Sequence, residues 1–443
     1  MHAAVTTFAV VASLVLLPVP AGAADSPGLA RPLVAEAAAS PASVGAAVAV
    51  PFSASALGKN VSVTVIDAAT GALVFHQAGT QAVLPASTLK LVTALTALTV
   101  LPPEETLTTR LVSSGRVDLG VLEGDLVIVG GGDPTLSSLD TPSYPAPARM
   151  SGLVDALRRK GITAIRGGIV VDTSAYDGPR LEASWKPTYV TEGSAAPVVA
   201  LMVDGGRSRA GATRGARSAT PEILAGQRLS AMLKAAGISV GGGVSRGVAA
   251  AGAVELGVVH SAPVPALVER MLLRSDNDLA EALSRSAARV RGLPASFAGG
   301  AQVATETLTR LGVPMAGVLV RDGSGLSRGN RVTTDLLAAA LRLATAGDHP
   351  ELRPLLSGLP TAGFNGTLLG RYRDQATRAA AGRVRAKTGS LNNVTTLAGV
   401  VVTRSGQLLV FAASADHVPT ASTTAAARTL DRAVAVLEAC GCN

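Results

Sequence analysis

The sequence has very few aromatic residues, which make up 2% of its 443 positions. Modules that bind single-stranded nucleic acid stack bases on exposed aromatic side chains, so this composition argues against a nucleic-acid partner. Hydrophobic residues account for 48% and charged residues for 16%, which is typical of a folded protein rather than a disordered one. A chain of this length predicts two or more domains.

Cysteine is nearly absent, because Cys440 and Cys442 are the only two and both lie in the last four residues. The body of the protein therefore has no internal disulfide framework. A Cys-x-Cys pair has too few ligands for a structural zinc site, and the five histidines are scattered. A local disulfide and a pair of free thiols both fit the C-terminal pair. We predict neither a metal site nor a cofactor.

Acidic residues are outnumbered, and the formal net charge is +8. Solubility is the simplest reason for this excess, although a basic protein also suits an acidic substrate. The stretch "GGRSRAGATRGAR" holds four of the arginines. Its glycines and its lack of an apolar period predict a mobile surface loop. These arginines are Arg207, Arg209, Arg214 and Arg217.

Long hydrophobic runs are missing except near the N-terminus, where one runs from about Phe8 to Val19. The small residues Ala21-Gly22-Ala23 follow it as a cleavage pattern, so residues 1–23 are predicted to be a signal peptide, although no lysine or arginine precedes the run. No other stretch reaches about 18 uninterrupted apolar residues, so we expect no transmembrane helix. The predicted location is extracytoplasmic, either in the cell envelope or secreted.

The pattern of residue types changes twice along the chain. Residues 24–50 are rich in alanine and are predicted to form a loosely held leader. A predicted hairpin and helix follow, and residues 107–255 then alternate short apolar runs with glycine and aspartate, which favours strands. Helices, strands and a last helix complete the chain. The simplest arrangement is an α/β domain built from residues 24–106 and 256–443, with a β-rich domain inserted over residues 107–255.

Three short motifs of serine, lysine and asparagine occur in an order that suits acyl transfer. Each motif is weak evidence alone. Their order is far more specific, because the first lies at a predicted helix start, the second at a break between helices and the third on a predicted strand. The motifs are Ser87-x-x-Lys90, Ser275-Asp276-Asn277 and Lys387-Thr388-Gly389-Ser390.

The first two motifs predict a nucleophile and its proton carriers. A serine hydroxyl is a poor nucleophile unless a base lies beside it. Lys90 lies one helical turn after Ser87 and is the predicted base, because burial and a positive Lys387 would both lower its pKa. We expect Ser275 to pass a proton to the leaving amine and Asn277 to bind a substrate amide.

The third motif predicts how the substrate is held. Lys387, Thr388 and Ser390 supply donors for a carboxylate. The backbone N–H groups of Ser87 and Ser390 are predicted to form an oxyanion hole, which stabilises the charge that develops on the substrate carbonyl. Gly389 has no side chain and would let the substrate backbone approach the strand edge.

With these motifs, the sequence resembles the class C low-molecular-mass penicillin-binding proteins, which are D-Ala-D-Ala carboxypeptidases and endopeptidases. The resemblance extends beyond the motifs to "GDLVIVGGGDPTLS", "SDNDLAEAL", "RDGSGLSRGNRVT", "LPTAGFNGTL" and "RAKTGSL". The long separation of Ser87 from Ser275 matches the inserted domains of that family. The resemblance implies a penicillin-binding transpeptidase-like α/β (α+β) fold. It also implies peptidoglycan stem peptides as substrate, covalent acylation of the serine by β-lactam antibiotics, and no cofactor.

Arg328 has two interpretations. It could be a cation that meets an acidic side chain of the stem peptide, or a loop arginine that pairs with Asp322.

Three other functions remain as alternatives. Gly325-Leu326-Ser327-Arg328-Gly329 fits the G-x-S-x-G nucleophile elbow of α/β-hydrolases, with His349 and His417 downstream, but polar loop residues separate Ser327 from the next helix. A β-lactamase would need a base for fast deacylation, and no position identifies one. A wall-binding protein without catalysis is the third, and the complete motif set argues against it.

Overall fold

The computed structural model describes residues 41–440. The predicted signal peptide, Cys442 and most of the predicted leader lie outside the described residues. The leader prediction was wrong for residues 41–50, because they belong to a helix whose Val48 is buried in the core. Within residues 41–440, no helix combines the length and the apolar character needed to cross a membrane.

Helices and strands alternate along the described chain. The helices are α1 (Pro41–Phe52), α2 (Lys90–Val100), α3 (Met150–Arg159), α4 (Tyr189–Glu192), α5 (Pro221–Ala235), α6 (Val264–Arg274), α7 (Asn277–Val290), α8 (Phe297–Arg310), α9 (Thr334–Thr345), α10 (Arg353–Ser357) and α11 (Thr423–Ala439). The strands are β1 (Asn60–Asp67), β2 (Leu73–Gln77), β3 (Thr106–Ser113), β4 (Arg116–Asp118), β5 (Val121–Glu123), β6 (Leu126–Gly130), β7 (Ala164–Ile165), β8 (Ile169–Asp172), β9 (Ser239–Val240), β10 (Val244–Arg246), β11 (Val254–Pro263), β12 (Val384–Leu391), β13 (Val394–Val402) and β14 (Leu408–Asp416).

One antiparallel sheet joins the two ends of the chain, in the strand order β12-β13-β14-β1-β2. Strand β1 pairs with β14 from Asn60 opposite Asp416 to Asp67 opposite Leu409. The mixed α/β fold built from both chain ends is therefore confirmed.

Helices cover both faces of this sheet. On β14, Val410 and Ala412 pack with residues of α2, α6, α7 and α9, whereas Phe411 and Ala413 pack with residues of α1 and α11. Successive side chains of a strand point to opposite faces, so one strand contributes to both layers of the core. Strands β13 and β14 are almost entirely buried for this reason.

Residues 106–263 form two further sheets, with the orders β10-β8-β6-β3-β11 and β4-β5-β7-β9. Strand β8 runs parallel to both β6 and β10. Parallel neighbours need a crossover connection, and helices α3 and α5 lie in the two crossovers. These two helices were not predicted. The division of the chain into domains stays a prediction.

Candidate active site

Ser87 lies in a short 3-10 turn, Ala86–Leu89, that leads directly into α2. Ala86 has a φ of 46°, in the left-handed region that residues with a side chain rarely adopt. The turn is therefore strained immediately before the serine, as is common at functional sites. The Ser87 side chain is half-buried, and its Oγ lies 3.1 Å from Lys90 Nζ.

Lys90 is the first residue of α2 and is fully buried. Its ammonium group donates to three oxygens: Ser87 Oγ at 3.1 Å, Asn277 Oδ1 at 2.6 Å and the carbonyl of Ser324 at 2.6 Å. The last two are acceptors only. Asn277 Oδ1 and the Ser324 carbonyl therefore hold the Lys90 side chain in one orientation. The third hydrogen-bonding position of Lys90 Nζ faces Ser87 Oγ.

The charge state of Lys90 is set mainly by burial, which lowers its pKa to about 8, while the carboxylates of Asp322 and Glu281 oppose that shift. Glu281 is itself buried and accepts hydrogen bonds from the backbone N–H groups of Gly323 and Ser324. Burial and the charge of Asp322 raise the pKa of Glu281 to about 8. Glu281 thus holds the two peptide N–H groups that immediately precede the Ser324 carbonyl, which binds Lys90. The sequence motifs did not reveal Glu281 or Ser324, because only the folded chain brings them to the lysine.

The second motif occupies the sharp turn between α6 and α7. Ser275 ends α6 with a φ of 55°, and the Asp276 side chain caps the first turn of α7. Asn277 follows, and both ends of its side-chain amide are engaged. Its Oδ1 accepts from Lys90, and its Nδ2 donates to the carbonyl of Ser194 at 2.8 Å. In this structure Asn277 orients the lysine, a role that the sequence did not predict.

Lys387 lies on β12 and is also fully buried. Its Nζ donates to Ser275 Oγ at 2.9 Å and to the carbonyl of Thr388 at 2.8 Å. Burial and the positive charge of Lys90 lower the pKa of Lys387 well below its ordinary value. We expected the positive charge of Lys387 to lower the pKa of Lys90. The effect runs in the other direction, because the charge of Lys90 lowers the pKa of Lys387. The structure brings all three motifs together through this chain of contacts.

Gly389 lies where β12 passes the Ser87 turn. A side chain there would place a Cβ 2.9 Å from the carbonyl oxygen of Pro85 and 3.1 Å from the Ser87 nitrogen, and would meet Thr396 Oγ1. Only glycine allows this approach. The predicted reason was access for the substrate backbone, and the structure adds close packing within the protein itself.

Strand β12 is the edge strand of its sheet. Residues 360–362 bond to this edge as far as Ala386. Beyond that point, no strand of the described chain pairs with the outer edge. Ser390 is exposed there, and the Thr388 hydroxyl bonds to that of Thr367 at 2.8 Å.

A cavity of about 640 Å³ beside this edge is lined by Ser87, Ser390 and Arg328, among others. We call it the Ser87 cavity. The exposed Arg328 donates to the carbonyl of Asn392 at 3.0 Å. Among the ion pairs of the described residues, none joins Arg328 to Asp322. The predicted pairing of Arg328 with Asp322 was wrong, because Asp322 instead accepts hydrogen bonds from five donors of other residues, including the Trp185 indole at 2.8 Å.

Ser327 does not fit the nucleophile elbow. Its side chain is fully buried, and its hydroxyl lies 2.6 Å from that of Ser184. An elbow serine must instead be exposed at the top of a sheet. The two downstream histidines bond to neighbouring carboxylates: His349 to Glu351 and His417 to Asp416.

The arginine-rich segment is not wholly a surface loop. Arg207 is buried, and Arg217 is largely buried with an ion pair to Asp278 at 3.1 Å. Both guanidinium groups also donate to backbone carbonyls of nearby glycines. Only Arg209 and Arg214 are exposed, so the prediction holds for half of the cluster.

The fold and the grouped serines and lysines define a serine-type peptidase of the penicillin-binding class. The sequence matches the D-Ala-D-Ala carboxypeptidase 3 (S13) family over residues 45–218 and 207–439. It is 39% identical to a carboxypeptidase of Mycobacterium tuberculosis, over 86% of this chain and 81% of that one. It is 29% identical to the D-alanyl-D-alanine carboxypeptidase of an Actinomadura species, over 78% of this chain and 76% of that one. The chain therefore belongs to the S13 family.

A solved structure has the same fold. Penicillin binding protein 4 of Haemophilus influenzae superimposes with a TM-score of 0.76 at 22% sequence identity, over 87% of this chain and 98% of that chain. A predatory endopeptidase of Bdellovibrio bacteriovorus superimposes with a TM-score of 0.54 at 18% identity, over 85% of this chain and 93% of that chain.

Proposed function

We propose that this protein is a serine-type D-Ala-D-Ala carboxypeptidase that acts on peptidoglycan stem peptides through an acyl-enzyme on Ser87. The observation that carries the proposal is the contact of Ser87 Oγ with the Nζ of a fully buried lysine, at 3.1 Å. A buried amine loses its proton more readily than an exposed one, so it can act as a base near neutral pH.

Acylation begins with neutral Lys90. Its two hydrogens bond to Asn277 Oδ1 and to the Ser324 carbonyl, so its lone pair faces Ser87. The Ser87 proton moves to this lone pair while Oγ forms a bond to the carbonyl carbon of the penultimate D-Ala. The negative charge that develops on the carbonyl oxygen is stabilised by backbone N–H groups, for which those of Ser87 and Ser390 are the candidates.

Release of D-Ala needs a proton on the leaving nitrogen. Ser275 Oγ lies 2.9 Å from Lys387 Nζ, so this pair can deliver one as the C–N bond breaks. A water molecule then attacks the Ser87 ester, and the stem peptide leaves with a new carboxylate. Thr388, Ser390 and Lys387 are the candidates to hold the terminal carboxylate of the substrate.

Two features suit a peptide substrate. The open edge of β12 can accept an extended peptide as an added strand. The exposed Arg328 in the Ser87 cavity supplies a cation for an acidic side chain of the stem peptide.

Peptidoglycan lies outside the cytoplasm, which agrees with the predicted signal peptide and with an extracytoplasmic location. Cleavage of cross-links, a DD-endopeptidase activity, is the second reaction that this site suits.

The first test is incubation of the protein with benzylpenicillin, followed by intact-mass measurement over hours and by peptide mapping. A β-lactam acylates the serine and has no separate leaving group, so the adduct persists. We expect one stable adduct, on the peptide that contains Ser87. Ser87→Ala is expected to give none, and Ser327→Ala is the matched control that retains it.

The other outcomes identify the alternatives. An adduct that disappears within seconds while the antibiotic is consumed would indicate a β-lactamase. A mass adduct on Ser327, or none on any serine, would contradict the proposal and favour the hydrolase or a binding protein without catalysis.

The rate of penicillin acylation is expected to rise with pH and to level off above about 8. The acylating form contains neutral Lys90, and burial lowers the pKa of this lysine to about 8. Below that value, the neutral fraction and the second-order rate constant should fall about tenfold per pH unit. The rate constant can be measured from pH 6 to 9.5, with the unfolding temperature recorded at each pH as the control. A flat or falling profile would rule out Lys90 as the base.

A further inference from the structure

A cavity of about 360 Å³ lies between the hairpin of β1 and β2, helix α9 and the turn that follows α8. Strand β2 is the edge of the five-stranded sheet opposite to β12. Four spacings of about 4.8 Å separate the two edge strands, which therefore lie about 19 Å apart. The residues that line this cavity and those that line the Ser87 cavity are entirely different sets. We call it the Arg342 cavity.

Helix α9 forms one wall of the Arg342 cavity with side chains that recur at helical spacing. Asp335 and Arg342 are seven residues apart, so they lie on one face of the helix, about 10 Å from each other along its axis. Between them on that face are Ala338 and Ala339. The alanine methyl groups are short, and larger side chains at these two positions would fill the cavity.

Most of the remaining lining is apolar. Leu73 on β2 is 59% exposed, so part of this apolar wall is open to solvent. A volume of this size, with a mainly apolar lining and a few polar groups, is typical of sites that bind small molecules. The other apolar side chains of the lining are Ile66, Leu311, Val313 and Leu343.

Arg342 brings a positive charge to this apolar space without a counter-ion. Within residues 41–440, its guanidinium group forms neither an ion pair nor a hydrogen bond, and its Nε is buried. The guanidinium group lies against Gly71, where a Cβ would be 2.9 Å from Arg342 Cζ and Nε. A cation that the protein leaves uncompensated in a partly apolar cavity favours an anionic ligand.

The carboxylate at the other end of the α9 face already has partners. Asp335 Oδ1 accepts a hydrogen bond from Thr64 Oγ1 at 2.6 Å and lies 3.0 Å from His76 Nε2. Both partners line the cavity. Asp335 therefore does not pair with Arg342, and its charge is held by its own neighbours. The Arg342 cavity thus combines an apolar body with one available cation at its end.

We propose that the Arg342 cavity binds a small amphipathic carboxylate, such as a medium-chain fatty acid. The ligand carboxylate accepts hydrogen bonds from the Arg342 guanidinium group, and the apolar tail lies against Ala338 and Ala339. One guanidinium group matches one carboxylate in charge, and the volume is too small for a lipid with two chains. This inference does not depend on the proposed function, because binding is measured without turnover.

The test measures the affinity of three probes with tails of equal length, octanoate, octanol and octylamine, by isothermal titration calorimetry. For wild type, we expect one site that binds octanoate at least about tenfold more tightly than octanol or octylamine. Arg342→Gln is expected to weaken octanoate binding about tenfold and to leave octanol binding unchanged. Arg310→Gln is the matched control, because it removes the same charge from the exposed last residue of α8, outside the cavity lining.

Filling the cavity gives a second, independent variant. Ala339→Leu keeps the Arg342 charge but occupies the space for the tail, so it should abolish binding of both octanoate and octanol. The unfolding temperature and the rate of penicillin acylation at Ser87 should match wild type in both variants, which shows that they are folded.

Four results would overturn the inference. They are equal binding of octanoate and octanol, tighter binding of octylamine, an unchanged octanoate affinity in Arg342→Gln or Ala339→Leu, and no octanoate binding to wild type at millimolar concentrations. The proposed function fails separately: if wild type binds octanoate as expected but gives no penicillin adduct, the Arg342 cavity stands and the acyl-enzyme on Ser87 does not.

Discussion

Replacing Lys90 with methionine is expected to slow both penicillin acylation of Ser87 and D-Ala release by about 10³- to 10⁴-fold. Methionine is similar in length and suits a buried position, but it cannot accept the Ser87 proton. It also lacks the two donors that bond to Asn277 and Ser324. Lys90→Arg is a sharper second variant, because arginine keeps the positive charge but cannot be deprotonated in a protein.

The measurement is the second-order rate constant of adduct formation, together with the unfolding temperature of each variant. Lys234→Met is the control, because Lys234 is exposed and lies on α5, outside the Ser87 cavity. If lysine acts as the base, Lys90→Met and Lys90→Arg should be similarly slow. A folded Lys90→Arg variant that retains acylation would mean that the lysine acts through its charge, and a fast Lys90→Met variant would mean that another base serves Ser87.

The contact of Ser87 with Lys90 was predictable because local geometry determines it. Residues three apart on a helix lie side by side whatever the rest of the chain does. The sheet built from both chain ends was also predictable, because the first and last parts of the sequence share a pattern that residues 107–255 lack.

Helices α3 and α5 were missed for a reason that the structure makes clear. Each contains a glycine at a point where it packs against a strand. A Cβ at Gly226 of α5 would lie 2.6 Å from Val244 and 2.8 Å from Val171, and one at Gly152 of α3 would lie 3.1 Å from Val259. Glycine lowers the helix propensity of these segments, and only tertiary packing explains its presence.

Glu281 could not have been identified as a site residue from the sequence. Its neighbours in "SDNDLAEAL" would suit an exposed acidic residue on a helix just as well. Its importance comes from Gly323 and Ser324, whose N–H groups it binds across a gap of more than forty residues. The burial of Arg207 is similar, because its acceptors are backbone carbonyls that only folding brings near.

Replacing Lys387 with methionine is expected to stabilise the protein and to slow D-Ala release. Lys387 is fully buried, and its hydrogen-bond partners among the described residues are the uncharged Ser275 hydroxyl and Thr388 carbonyl. A buried charge without a counter-ion destabilises the fold. We therefore expect the free energy of unfolding to rise by about 1–2 kcal/mol at neutral pH. D-Ala release should fall about 10²- to 10³-fold, because Ser275 loses its proton partner.

The stability gained by Lys387→Met is expected to depend on pH. Burial and Lys90 lower the pKa of Lys387 in the folded state, so folding carries a penalty while the unfolded chain still binds that proton. The penalty is complete below the folded-state pKa and disappears as pH rises to the ordinary lysine value. The gain of Lys387→Met over wild type should shrink in the same way, which urea unfolding at several pH values can measure. The unfolding free energy of Lys234→Met, the exposed control, should stay within about 0.5 kcal/mol of wild type at every pH.

A destabilised Lys387→Met variant would show that the hydrogen bonds of Lys387 outweigh its burial penalty. A stabilised but inactive one would show that two adjacent buried amines are kept for acyl transfer, at the expense of stability.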